Sequence, residues 1–129
     1  MSQRILLVED DWITVHLLKN RLERNGYEVV SAKDEADFWQ YAFDLDLALM
    51  VVDVCLKKRL GAMIYQMLLD FSEDQKIPVI FTTGLMQEGY GKEVIRDEGY
   101  TFVPKTIGLE YLEEEIERAL QKRVLKQAA

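Results

Sequence analysis

The most apolar run in the chain, residues 47–52, stops abruptly at Asp53. A short, continuous apolar stretch suits a strand buried on both faces, and such strands belong to parallel sheets covered on both sides. Residues 5–8 repeat the pattern and end at Glu9-Asp10-Asp11. Between these runs the period changes. Ile13, Leu17, Leu18 and Leu22 recur at helical spacing over 12–25, and Gly26 sits where a helix C-cap glycine belongs.

The alternation continues to the end of the chain. Residues 27–32, with Val29 and Val30, read as a second strand, and 34–43 as a short helix opened by Asp34. Residues 60–71 predict a third helix, with a polar loop over 72–76. Pro78, acceptable as a first strand residue, opens a run over 79–81 that leads into Thr82-Thr83-Gly84. A fourth helix is expected over 88–98 and a fifth strand over 100–103, closed by Pro104-Lys105. Leu109, Leu112, Ile116, Leu120 and Val124 form the stripe of a long last helix. Its outer face is rich in glutamate early and in Lys/Arg late, which suits the helix dipole.

Five strands alternating with five helices imply parallel crossovers and an open sheet covered on both faces, an α/β fold of the doubly wound (βα)5 kind. The 129 residues are expected to form one domain. Its core is expected to span about 3–124, and no output domain is expected to follow. Nearly half the residues are apolar, enough for a real core.

The net charge of -7, from 23 acidic and 16 basic side chains, argues against direct nucleic-acid or anionic-membrane binding. Cys55 is the single cysteine, so no internal disulfide forms. The start, MSQRILLVED, reaches a carboxylate too soon for a secretory signal. A cytoplasmic protein is the expectation.

In a parallel sheet all strand ends of one kind share an edge. Glu9-Asp10-Asp11, Asp53, Thr82-Thr83 and Lys105 each close a strand, so they gather where open α/β sheets bind ligands. For a strand order 2-1-3-4-5 the crevice lies between strands one and three, and the acidic pair faces Asp53. Crowded carboxylates repel unless neutralised, and Mg²⁺ prefers oxygen donors and phosphate. A carboxylate can also attack phosphorus to form an acyl phosphate. A lysine and a hydroxyl on neighbouring strands then neutralise the transferred group.

Residue by residue, weaker readings stand beside these. Asp11 reads as the cap of the first helix rather than a ligand. His16, the single histidine, reads as a helix-surface residue, and Lys57-Lys58-Arg59 as a solvated loop. Gly89-Tyr90-Gly91 lacks the strand and spacing of a nucleotide loop. Thr82-Thr83-Gly84 follows strand four, not strand one, which argues against flavin.

The pieces RILLVEDD, the Asp53 that closes LALMVVD, Gly61 eight residues later, PVIFTTG and GYTFVPK stand in order over nearly the whole length. In this the chain resembles the response-regulator receiver domains of bacterial two-component signalling, of the CheY-like superfamily. The resemblance implies a five-stranded, flavodoxin-like sheet of order 2-1-3-4-5. It implies that Asp53 is the phospho-acceptor, assisted by Thr83 and Lys105. It further implies that Mg²⁺ is held by Asp10 and Asp53, by Glu9 mainly through water, and by the backbone carbonyl of Cys55. Thr83 matches the switch hydroxyl and Phe102 the switch aromatic.

The implied function is that of a stand-alone signalling phospho-acceptor, not an enzyme in the ordinary sense, though it assists its own Mg²⁺-dependent phosphorylation and dephosphorylation. A sensor histidine kinase, a phosphotransfer protein or a small acyl phosphate is the donor. A downstream protein effector reads the face made by the fourth helix, fifth strand and last helix. The chain is expected to be a monomer or a phosphorylation-linked dimer.

Three departures qualify the match. The family usually has proline after the lysine, often with a cis peptide, whereas Thr106 follows Lys105. A non-proline cis bond costs ~2.5–4 kcal/mol, so a trans bond and a shifted lysine loop are expected. Lys57-Lys58-Arg59 replaces the usual proline-containing loop and could steer an acidic partner or free phosphate. Cys55 and Leu85 offer no hydrogen bond to attacking water, which predicts a long-lived phosphoryl state. Two other functions compete: a phosphorylation-independent interaction module with the receiver fold, and a phosphatase of the haloacid dehalogenase type. The second wants an acid where Cys55 stands.

Overall fold

The computed structural model describes residues 3–9, 11–44, 46–53, 62–83, 95–97, 100–104 and 108–128. In chain order the elements are β1 (Arg4–Val8), α1 (Trp12–Arg24), β2 (Glu28–Ala32), α2 (Glu35–Asp44), β3 (Leu49–Asp53), α3 (Ala62–Asp74), β4 (Val79–Thr83), β5 (Ile95–Asp97), β6 (Tyr100–Pro104) and α4 (Leu109–Ala128). The sheet order is β2-β1-β3-β4-β6-β5. All pairings are parallel except the last, where β5 runs antiparallel to β6. The five parallel strands thus have the expected order 2-1-3-4-5, and β5 is an added edge strand.

Alternation along each strand divides the core in two, because successive side chains point to opposite faces. Ile5, Leu7, Leu49, Val51, Ile80 and Val103 face one way and pack under Leu18 and Leu22 of α1 and Leu112, Ile116 and Leu120 of α4. Leu6, Val8, Met50, Val52, Val79 and Phe81 face the other way, against Phe38 and Ala42 of α2 and Leu68 of α3. Burial on both faces is why residues 5–8 and 47–52 are continuously apolar instead of alternating with polar residues. On the second face, Phe38, Trp39 and Phe71 meet edge to face, with ring centroids 4.8 to 6.2 Å apart, joining α2 to α3.

Local signals act where the residues predict. Asp11 caps α1: its carboxylate accepts from the Ile13 N–H at 3.2 Å and from the Thr14 hydroxyl at 2.7 Å. Gly26 follows the helix at φ +91°, donating its N–H to the Glu23 carbonyl. Glycine tolerates that left-handed turn because it has no Cβ. His16 lies exposed on α1. Pro78 precedes β4, and its carbonyl accepts from the Met50 N–H at 3.0 Å, so the missing proline donor costs no ladder bond.

Two expectations are corrected. The helix anticipated over 88–98 does not extend through its last residues, since Ile95–Asp97 is a strand; β-branched Ile95 and pairing with β6 outweigh the helical spacing. The polar loop anticipated over 72–76 begins later, because Ser72, Glu73 and Asp74 complete α3. Ser72 is buried and its carbonyl accepts from the Ile77 N–H at 2.9 Å, a contact that local polarity does not reveal. Gly89-Tyr90-Gly91 and Lys57-Lys58-Arg59 lie outside the described residues.

Candidate functional site

Each parallel strand delivers a polar residue to the same edge of the sheet. Val8 of β1 is in register with Val52 of β3 and with Ala32 of β2. The next residues, Glu9 and Asp53, therefore stand at neighbouring strand ends, where adjacent chains run about 4.8 Å apart. Both follow the parity of Leu7 and Val51, so both belong to the face covered by α1 and α4. Across β4, Asp53 is in register with Thr82, which follows the parity of Ile80 and shares that face.

The three side chains are buried: Glu9 is 6% exposed, Asp53 3% and Thr82 3%. The backbone fixes Glu9, whose N–H donates to the Ala32 carbonyl at 3.0 Å. Its Oε1 accepts from the Asp11 N–H at 3.1 Å. The residue that caps α1 thus also anchors Glu9, and the turn from β1 into α1 is held at both ends.

The remaining residues singled out from the sequence are placed in part. Thr83 is the last residue of β4 and pairs with Pro104 of β6, so Lys105 comes directly after the partner of Thr83. Phe102 lies mid-β6, in register with Phe81 on one side and Ile95 on the other. The side chains of Thr83 and Phe102, and all of Asp10, Cys55 and Lys105, lie outside the described residues, as does the Lys105–Thr106 peptide. Thr82, buried and in register with Asp53, is a neighbour of that carboxylate to which the sequence reading gave no role. The alternation of strand β4 was the signal that could have found it.

Oxygen donors from Glu9 and Asp53 suit a hard divalent cation such as Mg²⁺, and two carboxylates this withdrawn from water call for a counter-charge. Among the described residues no group of three or more His, Cys, Asp or Glu side chains converges. Asp10, the further carboxylate expected there, lies outside them. The described part of the set fits the ion. Among the described residues no helix is long and apolar enough to cross a membrane.

Comparison with known proteins agrees with this geometry. The family model of the response regulator receiver domain matches residues 5–117. The aerobic respiration control protein ArcA of Escherichia coli K12 is 32% identical over 83 residues, which is 64% of this chain and 34% of ArcA. The chain therefore spans well under half the length of that relative. The polar-differentiation response regulator DivK of Brucella ovis is 27% identical over 99 residues, 77% of this chain and 80% of DivK. Among solved structures, a CheY-like receiver domain protein from Methanospirillum hungatei superposes with a TM-score of 0.74 at 21% identity, covering 98% of this chain and 99% of that one. The receiver domain of the hybrid histidine kinase CckA gives 0.67 at 26% identity, over 91% and 98%.

Receiver domains are signalling domains rather than classical enzymes; they generally bind Mg²⁺ in an acidic pocket and interact with histidine kinases and effectors. With the sheet order, the acidic strand ends and the family match all in agreement, this chain belongs to the response-regulator receiver domains of two-component signalling and has their CheY-like fold.

Proposed function

We propose that the chain accepts a phosphoryl group on Asp53 in a Mg²⁺-dependent reaction and passes the signal to a protein effector. The observation that carries this reading is that Glu9 and Asp53 directly follow the paired Val8 and Val52 of neighbouring strands and are both buried. A carboxylate oxygen of Asp53 attacks phosphorus while the bond to the donor breaks. The donor, a phosphohistidine of a kinase or phosphotransfer protein or a small acyl phosphate, leaves with the electron pair. Glu9, Asp10, Asp53 and the backbone carbonyl of Cys55 hold Mg²⁺, which when bound neutralises the charge on the phosphoryl oxygens. Lys105 adds a second cation and Thr83 a hydroxyl donor. Once Asp53 carries the new charge, Thr83 and Phe102 shift toward it and change the face around β6 and α4, a population shift biased by phosphate contacts. The single cysteine, which excludes an internal disulfide, supports a role in the cytoplasm.

A second reading is favoured by one observation, the Thr106 that stands where the family usually has proline. In that reading the fold is kept as an interaction module without phosphotransfer. Intact-mass measurement after treatment with acetyl phosphate, with and without Mg²⁺, separates the two. The expected result is a gain of one phosphoryl group that requires Mg²⁺ and is absent in Asp53→Asn. No gain in the wild-type protein refutes phosphorylation and leaves the interaction module.

A further inference from the structure

The buried polar side chains that the described strands and their ends carry are Glu9, Asp53 and Thr82. Two of them are the carboxylates of the proposed site. The third is a neutral hydroxyl on β4, and the transfer described above does not use it. Its surroundings are apolar on one side only. Ile80, two residues earlier on β4, lies in the core under α1 and α4, as does Val103 of β6. Thr82 is in register with Val103 on one flank and with Asp53 on the other. Residues in register point to the same face, on strands about 4.8 Å apart.

A valine has the same shape as threonine and suits an apolar face without a hydroxyl to satisfy. A hydroxyl withdrawn from water is costly unless it finds a hydrogen-bond partner. The Val103 side chain has no acceptor, whereas the carboxylate of Asp53 has two acceptor oxygens. Rotation about χ1 moves the Thr82 hydroxyl between staggered positions. Of its two neighbours in register, Asp53 alone offers a side-chain acceptor.

We propose that the Thr82 hydroxyl donates a hydrogen bond to the Asp53 carboxyl oxygen that does not bond phosphorus, and so shortens the life of the phosphoryl state. The inference rests on the reading of Asp53 as phospho-acceptor. In the acyl phosphate that oxygen is a neutral carbonyl. During hydrolysis a water oxygen attacks phosphorus, and the bond from Asp53 to phosphorus breaks. The electron pair stays on the carboxylate, and the protons of the water pass to inorganic phosphate and solvent. Negative charge therefore grows on the oxygen that Thr82 faces. A hydrogen bond to an ionised acceptor is roughly twice as strong as one to a neutral acceptor, so the hydroxyl favours departure. In loading the charge moves the other way. The free carboxylate starts fully hydrogen-bonded and gives up charge as it attacks, so the same hydroxyl holds loading back. A disordered site slows both directions; this hydrogen bond separates them.

The test compares wild type with T82V, which removes the hydroxyl and keeps the shape, and with T82S, which restores a hydroxyl. Each full chain is loaded with acetyl phosphate in Mg²⁺ while intact mass follows the gain. After desalting into Mg²⁺ buffer, intact mass follows the loss. T82V is expected to lose the group roughly three- to tenfold more slowly than wild type and to load at an equal or higher rate. T82S is expected to stay within about twofold of wild type in both directions. Circular dichroism checks folding, and T82A, which also lacks the hydroxyl, replaces T82V if that variant does not fold. A variant without the hydroxyl that loses the group as fast as wild type overturns this inference alone, and so does one slowed in both directions. A wild type that gains no phosphoryl group overturns the phospho-acceptor reading and this inference with it.

Discussion

Thr82 stands opposite Asp53 across the ladder between β3 and β4, and both side chains are buried at 3% exposure. Asp53 is therefore bordered on one flank by a hydroxyl-bearing residue and on the other by the strand that leads into Glu9. It sits at the edge of the sheet, not in open solvent. The charge at this position lies among a few buried neighbours, and the first prediction concerns the cation proposed to balance it.

Without Mg²⁺, neighbouring buried carboxylates repel one another. Glu9→Gln and Asp53→Asn are expected to melt at or above the wild-type temperature in chelator, because each removes one of the crowded charges. Mg²⁺ is expected to raise the Tm of the wild type and to have much less effect on either variant, by mass action on the folded state. Thermal melts in chelator and in excess Mg²⁺ check both. A wild type indifferent to Mg²⁺ contradicts the pocket.

Asp11 closes the first turn of α1 through Ile13 and Thr14 and also donates its N–H to Glu9. Asp11→Ala removes the cap but keeps the backbone bond to Glu9. The expected loss is about 0.5–2 kcal/mol of stability, read from denaturant unfolding, with Asp11→Asn retaining most of it.

Ile116 of α4 is fully buried against the sheet face formed by Ile5, Leu7 and Val51. Ile116→Ala opens a cavity in that core and is expected to cost roughly 2–5 kcal/mol. The neighbouring exposed change Glu117→Gln should cost far less. Paired unfolding curves for the two variants make the comparison.

Burial, and secondarily the charge of Glu117, push the Tyr27 phenol above its ordinary value of 10.0. A raised folded-state value means that the fold favours the protonated phenol. Its contribution is therefore complete below the unfolded value and is lost as pH rises through the folded one. Tyr27→Phe has no such loss. Its stability relative to wild type is expected to improve on the alkaline side of about pH 10 and to show no such trend below. Equilibrium unfolding across that range, with phenolate absorbance as the direct readout, checks the sign.

Much of this molecule is written in local pattern. Continuous apolar runs at 5–8 and 47–52 require strands buried on both faces, and that alone demands a covered parallel sheet. Asp11 and Gly26 mark the limits of α1 because capping and a left-handed turn are short-range chemistry. The stops at Glu9 and Asp53 announced the edge where the site lies. What tertiary structure decided was non-local. Strand order arises from which hydrophobic faces meet, so β1 lies between β2 and β3 for reasons spread over the whole core. Ile95–Asp97 became a strand because an open sheet edge offers backbone partners that no helical period records. Thr82 rather than Thr83 stands beside Asp53 in the β3–β4 ladder, since register follows from the pairing of two strands and is carried by neither alone.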